Sequence, residues 1–151
     1  MEPPKTWTDY RNRPGEERVE LIGGQLFAMA PAPSTIHQRL SRDFLLRLAD
    51  FLRGKPCEVL PAPVDVRLSE LDTVQPDILV VCDPKQILET HVEGPPALVI
   101  EILSPTSVRH DRILKFNLYA KFGVKEYWLV HPTPAMVEVF LLESERYVAH
   151  G

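Results

Sequence analysis

The stretch PDILVVCDPKQILETHVEGPPALVIEIL, residues 76–103, holds two nearly continuous apolar runs joined by a polar loop. Short runs this rich in Val, Ile and Leu read as strands buried on both faces of a sheet. Each carries one residue that does not suit such a place. Glu101 sits inside VIEIL, flanked by branched apolar side chains, and Asp77 opens the first strand, 24 residues earlier. A buried carboxylate is costly unless a partner satisfies it. If the two strands are neighbours, both acids face one pocket. Two like charges there raise one pKa unless a cation sits between them, and Mg²⁺ or Mn²⁺, hard ions that take oxygen ligands, would satisfy them. The ordinary alternatives are an arginine-paired carboxylate at a strand end for Glu101 and turn chemistry for Pro76-Asp77.

Downstream, Ser104-Pro105 ends the second strand, and Thr106 or Ser107 caps a helix that runs to about Phe122, with Gly123 as its C-cap. Val108, Leu114, Leu118, Tyr119 and Phe122 form its apolar arc. Asp111 and Lys115 fall inside that arc. Four residues apart, they can form an ordinary helix ion pair; alternatively, the Lys115 ammonium reaches over the sheet to the carboxylates. YWLV (127–130), MVEVFLL (136–142) and a run from Arg146 to Ala149 read as further strands. The last ends at His150-Gly151, where a hairpin turn is expected, so the reading predicts an incomplete version of a longer domain.

Upstream, residues 1–17 are polar and Pro-rich, an arm or a short helix lying on the domain with Trp7 and Tyr10 as anchors. In RVELIGGQLFAMA two apolar stretches flank Gly23-Gly24, a type I′ hairpin signal. Ser34 or Thr35 caps a helix over Ile36–Leu52 whose apolar face is Ile36, Leu40, Phe44, Leu48 and Phe51. His37 falls on that face; a hydrogen-bonded core histidine is the ordinary explanation. Glu20 reads as a strand-edge carboxylate. Residues 58–68 read as one strand, with Val64, Val66 and Leu68 on one side and Asp65 and Arg67 on the other. Residues 85–96 read as a loop with a helical turn at 86–89.

The 151 residues suit one domain, which needs no disulfide or structural metal at this length. Hydrophobic residues at 44% and charged residues at 25% argue against disorder. There is no membrane-length apolar run and no signal-peptide core, so a cytoplasmic protein that engages no membrane is expected. With 17 basic against 21 acidic residues, the net charge of −4 excludes a generic electrostatic nucleic-acid binder while leaving room for a local basic strip. Cys57 and Cys82 match no zinc spacing. They are expected as thiols in a reducing compartment, Cys82 as a small core residue. The histidines show no zinc spacing. Phosphate-loop and nucleophile-elbow motifs are absent, which removes support for nucleotide binding and serine hydrolysis.

Pro-Asp, some two dozen residues, and then a glutamate on an apolar strand resembles the PD-(D/E)xK nuclease superfamily. The longer run LVIEILSPTSVRHDRILKFNLYAKFGVKEYWLVHP (98–132) is similar to the Uma-type restriction-endonuclease family, long described as a domain of unknown function. VELIGGQL, the His37-Gln38 helix, VQPDILVV, GPPALVIEILSP, DRILK and GVKEYWLV carry the likeness, which spans about Arg18 to Tyr147. It implies an α+β restriction-endonuclease-like fold, a mixed central sheet flanked by helices. It implies Asp77 and Glu101 as metal ligands, together with the Ile102 carbonyl. The superfamily lysine falls two residues after the glutamate, where this chain has Leu103; a lysine moved to the next helix fits Lys115. Glu20 and His37 match recurrent positions near the site. Two departures stand out: Gly23-Gly24-Gln25 where Asp-Gly-Glu is frequent, and His131-Pro132 where Asp-Pro is frequent. The first removes carboxylates near Glu20.

The function expected is Mg²⁺- or Mn²⁺-dependent hydrolysis of nucleic-acid phosphodiesters, DNA foremost. Asp77, Glu101 and Lys115 carry the chemistry, Asp111 positions Lys115, and Arg109 and Arg112 meet phosphates. A homodimer would suit double-strand cutting. The competing readings are a nuclease fold kept as a non-cleaving binding or oligomerisation module, and a metal-dependent hydrolase of small phosphoesters.

Overall fold

The computed structural model describes residues 2–30, 32–104 and 109–151, with the backbone alone at 109–111. The two apolar runs form β6 (Ile78–Val81) and β8 (Leu98–Ile102). They are antiparallel neighbours, with Ile78 opposite Ile100 and Val80 opposite Leu98. They lie in a six-stranded sheet ordered β11-β10-β9-β8-β6-β3. Its other strands are β3 (Glu58–Pro61), β9 (Glu126–His131), β10 (Met136–Glu143) and β11 (Arg146–Ala149). The β8/β9 pair is parallel and the rest antiparallel, so the sheet is mixed.

Side-chain alternation assigns the faces. Ile78, Val80, Leu98, Ile100 and Ile102 pack toward helix α2 (Thr35–Phe51), meeting Leu40, Phe44, Leu48 and Leu52. Leu79, Val81, Val99, Tyr127 and Leu129 point the other way and pack with Leu118, Tyr119 and Val124 in and after helix α3 (Arg109–Phe122). Asp77 and Glu101 share the phase of this second face.

A second, five-stranded mixed sheet, ordered β2-β1-β5-β4-β7, closes that side. Its strands are β1 (Val19–Ile22), β2 (Gln25–Ala28), β4 (Val66–Ser69), β5 (Asp72–Val74) and β7 (Val92–Glu93). Ile22, Val66, Val74 and Val92 join the α3-side core. The β1–β2 hairpin turns at Gly23 and Gly24, both at positive φ (59° and 79°), as a type I′ turn requires. The N-terminal arm forms helix α1 (Trp7–Asn12), with a Thr6–Asp9 capping box and Tyr10 1% exposed as its anchor.

The mixed α+β architecture is the one expected, with several departures of detail. Residues 58–68 form two strands in different sheets rather than one. Pro61 and Pro63 offer no N–H to continue a ladder there. Strands β5 and β7, three and two residues long, carry too little pattern to be read. The helical turn lies at Pro84–Gln86, capped by Asp83, not at 86–89. The ends of the α2 stripe, Ile36 and Phe51, are exposed. An i+4 row winds about 40° per step around a helix, which carries Ile36 away from the sheet; Phe51 is the last residue of the helix, and Leu52 after it packs on the sheet instead. The cap expected at Thr106 or Ser107 lies outside the described residues; Gly123 follows α3 at φ 85°.

The cysteines differ most from expectation. Cys57 and Cys82 form a disulfide, and Cys82 is exposed rather than in the core. The register Glu58↔Val81 of β3 and β6, extended by one residue, sets the two cysteines opposite each other. That pairing of strands could not be read from spacing. No helix among the described residues is long and apolar enough to cross a membrane.

Candidate active site

Asp77 precedes β6 and Glu101 lies near the end of β8, so the antiparallel register puts both acids at one end of the sheet. They clasp each other's strands. The Asp77 amide donates to Glu101 Oε1 at 3.2 Å, and the Ile102 amide donates to Asp77 Oδ2 at 2.7 Å. Lys115 reaches over from α3. Its ammonium lies 2.6 Å from Glu101 Oε2 and 2.7 Å from Glu20 Oε2. Of the two readings of Lys115, the one that takes its ammonium to the carboxylates is the geometry observed; its side chain is 14% exposed and that of Glu101 12%.

Three further groups fix these side chains. Glu20, on β1, accepts the Gln75 amide at 2.8 Å, which holds it toward Lys115. The buried Tyr119, one helical turn after Lys115, donates its hydroxyl to Glu101 Oε2 at 2.8 Å. His37 lies in the first turn of α2, whose start is fixed by the Ser34 side chain accepting from the His37 amide. Its Nε2 lies 3.2 Å from Asp77 Oδ1, and its Nδ1 lies 3.0 Å from Gln38 Oε1. His37 is thus a hydrogen-bonded buried histidine whose partner is one of the two acids.

Burial pushes the Glu101 carboxyl up to about 7; the Lys115 ammonium pulls it down, while Asp77 and Glu20 add to the rise. Burial works against the Lys115 charge, but Glu101 and Glu20 outweigh it and hold the ammonium above the ordinary lysine value. Burial and Glu101 push Tyr119 well up, so it stays a donor. The hydrogen bond to Asp77 raises His37 against its burial. Glu20 and Glu101 thus hold one firmly charged ammonium between them, with Asp77 and His37 beside Glu101.

The floor opens into a cleft of about 620 Å³, lined by Arg18, Phe27, Met29, Ser104 and Arg112 besides the acids, Ile102 and Lys115. Among the described residues, no three or more acids, histidines or cysteines converge as a closed metal shell. Asp77 and Glu101 are oxygen donors of the kind Mg²⁺ or Mn²⁺ takes, which bind through one or two carboxylates and complete their shell with water and substrate oxygens; each of their oxygens meets a protein donor here.

Asp77, Glu101, Ile102, Lys115, Glu20 and His37 are brought together, and Arg112 lies exposed on the cleft wall. The side chains of Arg109 and Asp111 lie outside the described residues. The sequence reading missed Tyr119, Gln75 and Arg18. Tyr119 carried a signal: it shares the helix face of Lys115 at i+4. Gln75 carried none: its backbone amide meets Glu20 and its side chain meets Arg18, Asp65 and Tyr10, all distant in sequence.

Comparisons with known proteins bear on the family and the fold. The family model Uma2, described as "Putative restriction endonuclease", matches residues 7–151. An uncharacterized protein of Synechocystis sp. strain PCC 6803 is 30% identical over 142 residues, spanning 91% of this chain and 72% of that protein. The crystal structure of "a putative nuclease belonging to DUF820" from Anabaena variabilis superposes with a TM-score of 0.80 at 18% identity, covering 97% of this chain and 84% of that one. At that identity the likeness shows a shared fold. The match over nearly the whole length places the chain in the Uma2 family of restriction-endonuclease-like proteins.

Proposed function

We propose that this chain, as one domain, is a metal-dependent endonuclease that hydrolyses phosphodiester bonds of nucleic acid, DNA being the expected substrate. The observation that carries the reading is the Lys115 ammonium held between Glu20 and Glu101, beside Asp77, on the floor of an open cleft. A Mg²⁺ or Mn²⁺ ion held by Asp77, Glu101 and the Ile102 carbonyl would polarise the scissile phosphate and lower the pKa of an attacking water. Lys115 then meets the charge that develops on the phosphoryl oxygens, already oriented and with its own proton secure. Glu20 and Tyr119 keep Lys115 and Glu101 from rotating, and His37 does the same for Asp77. Arg112 offers a contact to a flanking phosphate. A two-fold dimer of this chain would place one such site on each strand of a duplex.

One observation favours a second reading, a nuclease fold kept for binding alone. Every carboxylate oxygen of Asp77 and Glu101 already meets a protein donor. Plasmid nicking in Mn²⁺, in Mg²⁺ and in EDTA separates the two, with Glu101→Ala and Lys115→Ala beside the wild type. Metal-dependent nicking lost in both variants is the expected result. A folded wild-type protein that cuts in no metal supports the binding module, and cutting that survives both substitutions sinks the site assignment.

A further inference from the structure

We propose that Arg18 is a phosphate-binding residue of the cleft, taking the backbone phosphate next to the scissile one. The inference rests on the nuclease reading and adds to it a named contact with the substrate. The Arg18 carbonyl accepts the Met29 amide at 2.9 Å, which continues the β1–β2 ladder by one residue. Arg18 is therefore in phase with Glu20 on the same strand face, about 7 Å away along the chain. That offset is comparable to the step from one phosphate to the next along a nucleic-acid strand.

The guanidinium is aimed by a buried network. Its Nε donates to Gln75 Oε1 at 2.9 Å. The Gln75 amide nitrogen donates to Asp65 Oδ1 at 2.9 Å and lies 3.2 Å from the Tyr10 hydroxyl, which is itself 2.7 Å from Asp65 Oδ1. Gln75 therefore cannot flip, and its oxygen is committed to Arg18. Among the described residues, Arg18 has no carboxylate partner, and its two terminal nitrogens meet no acceptor.

An oriented, half-buried fork of N–H donors with two nitrogens open to a cleft matches a phosphate. It is also needed there. Glu20, Asp77 and Glu101 repel a polyanion, and Lys115 is already shared between two of them. Arg18 gives the substrate backbone a cationic hold beside that acidic floor.

The test compares wild type, Arg18→Gln and Arg18→Lys as full chains. Binding of fluorescein-labelled single-stranded and duplex oligonucleotides is read in Ca²⁺ across a NaCl series, with cleavage kinetics in Mn²⁺. Arg18→Gln should weaken binding about tenfold or more. It should also lower the slope of log affinity against log salt by about one. KM should rise by a similar factor with kcat nearly unchanged, because the contact exists before and during the reaction. Arg18→Lys, which keeps the charge, should restore the salt slope. A wild-type slope and KM in Arg18→Gln overturn the inference, as does a loss confined to kcat or to thermal stability, the signature of a merely structural arginine. A wild-type protein that neither binds nor cuts nucleic acid overturns the nuclease reading as well, whereas an active wild type with an indifferent Arg18→Gln overturns this inference alone.

Discussion

Strand β6 is closed at its two ends by different means. Beyond its last residue, Cys82 is bonded to Cys57 across the sheet, with no charge involved. Before its first, Asp77 and Glu101 hold the strand ends through hydrogen bonds to partly buried carboxylates, and a lysine has to compensate Glu101. Between them the strand is apolar on both faces. The contrast shows where stability has been given up. A covalent tie needs no cleft and offers no chemistry; an over-acidic tie is a poor way to finish a sheet unless the charge is used.

Breaking the charged end at its cation should have the largest effect. Lys115→Met leaves Glu20 and Glu101 facing each other without compensation, a loss of about 3–5 kcal/mol. Denaturant unfolding should show it, with nicking down about 10²–10³-fold in whatever fraction remains folded. Breaking the other end should separate stability from chemistry. Reduction of Cys57–Cys82 removes a cross-link that spans 25 residues, worth about 2–4 kcal/mol. The midpoint should fall while nicking per folded molecule stays as it was; a parallel loss of activity would mean that the two ends are coupled.

A finer cut uses Tyr119→Phe, which takes one donor from Glu101 and leaves the ring in place. The expected loss is about 1.5–3 kcal/mol by unfolding, the range for a hydrogen bond to a charged group. The site also titrates, with a definite sign. Glu101 is raised from 4.5 to about 7, so between those values the folded chain binds more protons than the unfolded one. Unfolding free energy should therefore fall as pH rises through that window. His37, also raised, adds a fall in the same direction from its ordinary value of 6.5 upward. Glu101→Gln should flatten the fall without metal, and a curve as steep as wild type would show that other groups carry it. The smallest effect belongs to neither end: Ile36→Ser, at a residue 49% exposed, should stay within about 0.5 kcal/mol, where membership of a buried face would make it several times larger.

Periodicity and chemistry revealed the residues that sit against the grain of their own segment. Glu101 in an apolar strand and Lys115 in an apolar arc are local contradictions, legible without knowing what lies across the fold. Asp77 needed only the added assumption that the two strands are neighbours. Longer elements such as α2, α3 and β10 followed from repeated pattern. What escaped depends on registers that link distant segments. Cys57 and Cys82 are brought together by the β3/β6 pairing; Glu20, which only the family resemblance put near the site, arrives on a second sheet. Gln75 holds Glu20 through a backbone group common to every residue but proline, and its side chain acts only through partners distant in sequence. Strands of two or three residues, β7 and β5, exist because partners complete them rather than because of their own composition.

The clasp between Asp77 and Glu101 has an evolutionary consequence. Each acid fastens the other's strand as well as facing the cleft, so selection for a foldable chain maintains the pair even where selection for cutting has lapsed. A lineage that abandoned cleavage would keep Lys115 with the acids it compensates and shed Arg18 first. In such a lineage the acids and their lysine record ancestry, and the arginine beside them records present use.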